Sequence, residues 1–177
     1  MEAILAIVII AIMSLGTTLL VLKHNQQKQR DMVVRVADQY ANDAIEKITS
    51  LLRNADSVSS QRDRGTYDKI ELFTYSEIHN ELLKQTLRCD QFKGITIGQE
   101  RINHEGNLEV MISSIPNSIL SISKFQLRKE PEEYKGSEKF GECFRSLYII
   151  IEGHVGKYNY FLPYEASVFL KNYYLRK

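Results

Sequence analysis

The chain opens on an unbroken apolar run, continues as an apolar stripe, and ends in short alternating segments. Ala3 to Leu22 holds no charge, Pro or Asn, and its length of about 20 residues suits a helix crossing a ~30 Å hydrocarbon core. The only polar groups there are the hydroxyls of Ser14, Thr17 and Thr18, which a helix can bond back to its own carbonyls. A removable signal peptide needs a basic start, a shorter apolar core and a small-residue cleavage site. Met1-Glu2 is acidic and no A-x-A step follows, so residues 1–22 read as a transmembrane anchor, Ala3 to Leu22 forming the span.

No Gly or Pro lies between Thr17 and Arg64, so nothing ends the helix at the lipid surface. Val33, Val36, Ala37, Tyr40, Ala41, Ala44, Ile45, Ile48, Leu51, Leu52 and Ala55 follow at steps of three and four, which draw one stripe. Arg35, Asp38, Asp43, Glu46, Lys47 and Arg53 occupy the positions between. Residues 23–55 therefore continue the anchor as an amphipathic helix, ~80 Å long from Ala3 to Ala55. The stripe could be a coiled-coil seam. Its width, set by Ala37, Ala41, Ala44 and the pairs Val33-Val34 and Leu51-Leu52, favours packing on a sheet.

Residues 56–177 change character. Ser57–Gly65 reads as a loop and Lys69–Tyr75 as a short strand, after which Ser76 caps an expected helix over Glu77–Arg88. Strands are expected at Ile95–Ile97, Leu108–Ser113 and Ile119–Arg128, with a turn cluster at Asn103–Asn107. A charged loop over Glu130–Glu142 precedes Phe144–Ile151, the most apolar strand and the expected sheet centre. Gly153 and Gly156 turn the chain into Lys157–Leu162, and Glu165–Leu175 reads as a last strand. Helices first and strands after predict an α+β domain, the long helix packed on a single antiparallel β-sheet.

Composition adds little chemistry. The net charge of +1 gives no basic excess on a nucleic-acid scale, and about 120 residues beyond the long helix suffice for one core. Two cysteines, Cys89 and Cys143, form no CxxC pair for zinc; they could bridge in an oxidising compartment or stay thiols in a reducing one. His24, His79, His104 and His154 lie in four separate segments with no metal spacing. No nucleophile elbow or phosphate loop occurs, and Cys143 with His154 has no defined geometry. The tyrosines near Lys157 and Lys171 follow β-propensity more simply than a base-stacking platform. The expectation is a non-enzyme without catalytic residues, metal, cofactor, small-molecule substrate or nucleic-acid partner.

The start, Glu2-Ala3-Ile4-Leu5-Ala6-Ile7-Val8-Ile9-Ile10-Ala11-Ile12, and the helix exit Leu52-Arg53-Asn54-Ala55-Asp56-Ser57-Val58 resemble the type IV pilin-like superfamily, the minor pilins and type II secretion pseudopilins. That resemblance implies a pilin-like fold and a filament subunit serving adhesion, secretion or DNA uptake. Its partners would be membrane lipid and other pilin-like subunits, met through the N-terminal helix. Glu2 would neutralise a neighbour's terminal amine, because a buried carboxylate needs a cation. It also implies an inner-membrane protein with its domain outside the cytoplasm, where Cys89 and Cys143 would form a disulfide. The family's basic leader ending in Gly is expected upstream of Met1, and the lack of a helix-breaking Pro points to a minor or pseudopilin role. Lys23, Lys28 and Arg30 after the span speak for the opposite orientation. The alternative is a single-pass protein with a cytoplasmic binding or adaptor domain.

Overall fold

The computed structural model describes residues 2–76, 81–98, 100–102, 108–129 and 143–176. One helix, α1 (Glu2–Asn54), runs 53 residues without a break. Its first half contains a window of mean hydropathy 2.3, none of it buried, and is long and apolar enough to cross a membrane. Thr17 and Thr18 hydroxyls bond back to Met13 and Ser14 carbonyls there. The second half carries the domain, and the apolar stripe explains why. Val33, Ala37, Tyr40, Ala41, Ala44, Ile48, Leu52 and the following Ala55 are all buried. The stripe is the core face of the helix.

Eight strands follow: β1 (Ser57–Arg64), β2 (Tyr67–Ser76), β3 (Glu81–Asp90), β4 (Gly94–Ile97), β5 (Glu100–Arg101), β6 (Ser118–Lys129), β7 (Phe144–Val155) and β8 (Tyr158–Phe169). Two short helices, α2 (Leu108–Ile112) and α3 (Lys171–Arg176), complete the described elements. The sheet order is β5-β4-β3-β2-β6-β7-β8, with β1 paired to β2. All pairs are antiparallel except β2–β6, which meet in parallel at Tyr67 and Phe125, so the sheet is mixed rather than purely antiparallel. α1 lies mainly across β7 and β8. Leu147, Ile149, Ile151 and Val155 on one face of β7 meet it, alternating with half-buried residues behind.

Where β2 and β6 diverge, side chains replace the missing ladder. The Asp68 carboxylate accepts from Leu127 N–H at 3.0 Å and from the Ser60 hydroxyl at 3.2 Å. The Thr66 hydroxyl donates to Ser123 O at 2.6 Å, beside a register shift between Ile122 and Lys124. A buried carboxylate is tolerated there because each bond satisfies a backbone or hydroxyl donor that the sheet leaves open.

Several expectations need correction. Ser57–Arg64 is strand rather than loop: its polar side chains suit an edge strand held by main-chain bonds to β2. Residues 81–88 of the expected helix are strand, because pairing with β2 (Ile70 with Leu87, Phe73 with Lys84) outweighs helix propensity; residues 77–80 lie outside those described. Residues 108–112 are helix rather than strand. Leu108 and Ile112 fit either period, but Met111 packs beside them, which is helical spacing. The last strand stops at Phe169, since Leu170 is buried and donates its N–H to Cys143 O, after which Lys171–Arg176 coils.

The segments expected at 157–162 and 165–169 are one strand, β8, crossing Pro163. Proline lacks an N–H, and an edge strand can hold it where that group would face away from its neighbour. β7 is thus interior but next to the edge, not the sheet centre. The turn cluster at 103–107 and the loop at 130–142 lie outside the described residues.

Candidate functional site

The feature that sets this molecule apart is the bare half of α1. Ile4, Ile10, Leu15 and Leu20 all expose more than 60% of their surface. Leu22, the expected end of the span, is also exposed. Such a cylinder, apolar all round, is the surface a lipid phase or other apolar helices would cover. Glu2 and Ala3 are helical in backbone, and their side chains lie outside the described residues.

The direction of this half is set by polar clamps along the other half. Tyr40 Oη accepts from Ile95 N–H at 2.6 Å inside the core. Gly94 makes room for that ring: it sits at φ +87°, and an added Cβ would clash with the Tyr40 hydroxyl. Tyr164 donates to Asp38 Oδ1 at 2.6 Å, and the Arg30 guanidinium stands 4.9 Å from the Tyr160 ring centre. Lys47 Nζ reaches Ile102 O at 3.2 Å, and Asn172 Nδ2 reaches Asn54 O at 2.9 Å. Helix, sheet and C-terminal turn are tied at points from Arg30 to Asn54. Burial pushes the Tyr40 hydroxyl well above its ordinary range; burial and then the Asp38 carboxylate do the same to Tyr164.

Cys89 and Cys143 do not form a crosslinked pair in this structure. Cys89 lies on β3 opposite Ile95, while Cys143 leads into β7, and β2 and β6 run between those strands. Gln91, two residues past Cys89, accepts from Ile122 N–H, and Ile122 pairs with Ile151, so most of the length of β7, eight residues at about 3.3 Å each, separates Cys143 from that point, far beyond the ~7 Å Cα separation of a disulfide. Burial, then the neighbouring Asp90 charge, raises the Cys89 thiol well above its usual range, which leaves little thiolate for chemistry.

His24 stands exposed on α1, and His154 Nδ1 lies 2.6 Å from Asn159 Oδ1 at the β7–β8 end; His79 and His104 fall outside the described residues. Among the described residues no cluster of three His, Cys, Asp or Glu could hold a metal. One open groove is lined by Gln91, Phe92, Ser118, Ile119, Ser121, Glu152 and His154, and the described contact of His154 is with Asn159 rather than with either serine.

Sequence reasoning missed the tyrosine clamps. It credited the late tyrosines to β-propensity, yet Tyr160, Leu162, Tyr164, Ala166 and Val168 alternate with residues more open to solvent along β8. That alternation, set against an amphipathic helix bearing Arg30 and Asp38, was the available signal. No protein-family model, curated protein or solved structure matches the chain.

Proposed function

We propose that this protein is a membrane-anchored, non-enzymatic assembly subunit of the type IV pilin-like kind, its bare helix half serving as anchor and as handle for other subunits. The observation that carries this reading is the continuous helix α1, 53 residues long, loaded with the domain along its second half only. A rigid rod with one apolar end can exchange lipid for neighbouring helices without refolding the domain. Apolar surface stays covered in both settings. Glu2 belongs at the start of that handle, where a neighbour's amine would balance it on assembly.

The edges of the sheet support helix-led assembly over strand addition. β8 is a 12-residue edge, but Pro163 interrupts its row of donors, a device that discourages pairing with another chain. The test is disulfide trapping between copies in membranes, with cysteines placed at Ile10 or Met13 in a chain lacking Cys89 and Cys143. Crosslinked ladders that disappear with Glu2→Ala support the reading; monomers alone at every position refute it.

A second reading, a cytoplasmic binding domain on a single span, is favoured by two observations. The two cysteines are not bonded to each other, and the sequence after the span, Lys23 to Arg30, carries three cationic side chains and no carboxylate. A reporter fused after Lys177 decides between them: activity outside the membrane favours the filament subunit, activity inside favours the adaptor.

A further inference from the structure

We propose that the tip of the β7–β8 hairpin is a contact for anionic phospholipid headgroups, with Lys157 and Tyr158 docking the domain on the bilayer beside its own anchor. The proposal rests on the reading of α1 as a membrane span. The two-residue loop Gly156-Lys157 joins β7 to β8, with Val155 opposite Tyr158. Gly156, at φ +59°, comes first, as a tight hairpin of type II′ requires. The hairpin is therefore short and stiff, and its tip has a defined place.

That place is at the foot of the helix. Tyr158 and Tyr160 share a groove with Lys23, Gln26, Gln27 and Arg30 of α1. Lys23 is the residue directly after the apolar run, and Arg30 lies ~12 Å beyond Leu22 along the axis. Tyr160 stacks under Arg30, so Tyr158, two residues nearer the loop, stands lower, and Lys157 lower still. Polar headgroups extend about 5–7 Å beyond each side of the hydrocarbon core. The tip falls in that layer.

The chemistry at the tip matches the layer. Tyr158 exposes 57% of its surface although it is aromatic, and Ile119, two positions past the Asn117 carbonyl that accepts from Gly156 N–H, is similarly open. Tyrosine is a residue of the membrane–water boundary, where its ring meets acyl chains and its hydroxyl meets water. Lys23 and Arg30 in the same groove as Tyr158, with Lys157 next to it in the chain, give its surroundings positive charge; the nearest carboxylate on α1 is Asp31. An anionic lipid surface complements both properties. A second copy would have to cover the same cations while leaving the adjoining span in lipid.

The chain contains no tryptophan, so one introduced residue reports its own site. Full-length protein is placed in nanodiscs made with phosphatidylglycerol and bromine-labelled acyl chains, carrying Leu15→Trp, Tyr158→Trp, Lys157→Trp or Tyr174→Trp singly. Tyr174 follows Asn172, which bonds Asn54 O at the far end of α1, roughly 45 Å from the bilayer edge. Expected is strong quenching for Leu15→Trp, about twofold loss of emission for both hairpin variants, and none for Tyr174→Trp. Replacing phosphatidylglycerol by phosphatidylcholine, or adding Lys23→Glu, should reduce quenching at the hairpin and leave Leu15→Trp unchanged. Hairpin tryptophans as bright as Tyr174→Trp, with Leu15→Trp quenched, overturn the docking and keep the anchor. An unquenched Leu15→Trp overturns both. Emission shielded from bromine but dependent on copies per disc assigns the tip to a second copy and overturns the proposal.

Discussion

The two halves of α1 share one backbone geometry and differ only in what their side chains meet. From Ile4 to Leu22 the helix is apolar all round and bare; from Val33 to Leu52 it is apolar on one stripe, whose centre is fully covered and whose margins, Val36, Ile45 and Leu51, are partly so. The first half presents no polar face, the pattern of a helix covered by apolar groups over its whole circumference. The second half has Asp43, Glu46 and Arg53 facing water and the sheet beneath its stripe. A charge placed in either half should therefore fail in a different way. Ala41→Asp sets an unpaired charge in the core and should unfold the domain, a cost of several kcal/mol visible as a lost thermal transition in detergent. Leu15→Asp should leave that transition in place and deplete the membrane fraction, since a carboxylate at mid-span costs ~2–3 kcal/mol of insertion. Equal melting of the two variants would break the comparison.

A second contrast lies inside the covered half, between stripe positions that fill space and those that make bonds. Gly94→Ala asks a side chain to adopt a left-handed backbone and to occupy the Tyr40 hydroxyl's space. We expect a loss of about 3 kcal/mol, strain and overpacking together, measured by denaturant midpoint. Gly98→Ala, also at positive φ but facing open space, should cost less, and the difference isolates the close approach of α1 to β4.

What the sequence made legible divides along the same line. Every residue of the apolar stripe is buried or partly buried, because helical spacing is a one-dimensional signal that needs no partner to be read. β2, β4 and β6 were also legible from alternation and from turn residues at their ends. β1 and β3 were not. Ser57–Arg64 carries no apolar alternation and is strand only because β2 offers a free edge. Leu82 and Leu83 resembled a helix face, yet both are exposed on β3. Strand order was wholly out of reach. The tyrosine clamps needed two distant segments, β8 and α1, to be seen together.

Tyr40→Phe sharpens the division between shape and bonding. Phenylalanine fills the same cavity under Gly94 but leaves Ile95 N–H without its acceptor in the core. The expected loss is ~1–3 kcal/mol by thermal or denaturant melting, smaller than for Gly94→Ala and without loss of helix content. A neutral result would mean that water reaches the Ile95 amide and that this part of the helix–sheet seam is looser than its burial implies.

The smallest effect tests the hydrogen-bonded clamp next to the Arg30–Tyr160 contact. Tyr164 donates to Asp38, and with that proton lost two negative oxygens would face each other. Burial and the Asp38 charge both raise the folded-state pKa of Tyr164, and burial raises that of Tyr40, above the ordinary 10.0. Above pH 10 the unfolded chain therefore binds fewer protons than the native one, and stability must fall as pH rises. Below pH 10 both states hold these protons and the contribution is complete. The wild-type melting temperature should be flat in this respect from pH 7 to 9 and decline beyond about 10. Tyr164→Phe should lower stability by ~1 kcal/mol at pH 8 and decline less steeply above pH 10, because one of the groups linking stability to pH is gone. An equally steep decline in Tyr164→Phe would assign the alkaline sensitivity to Tyr40, Tyr67 and the Cys89 thiol, whose pKa values burial also raises, and would leave the foot of the domain held by Arg30 and Tyr160.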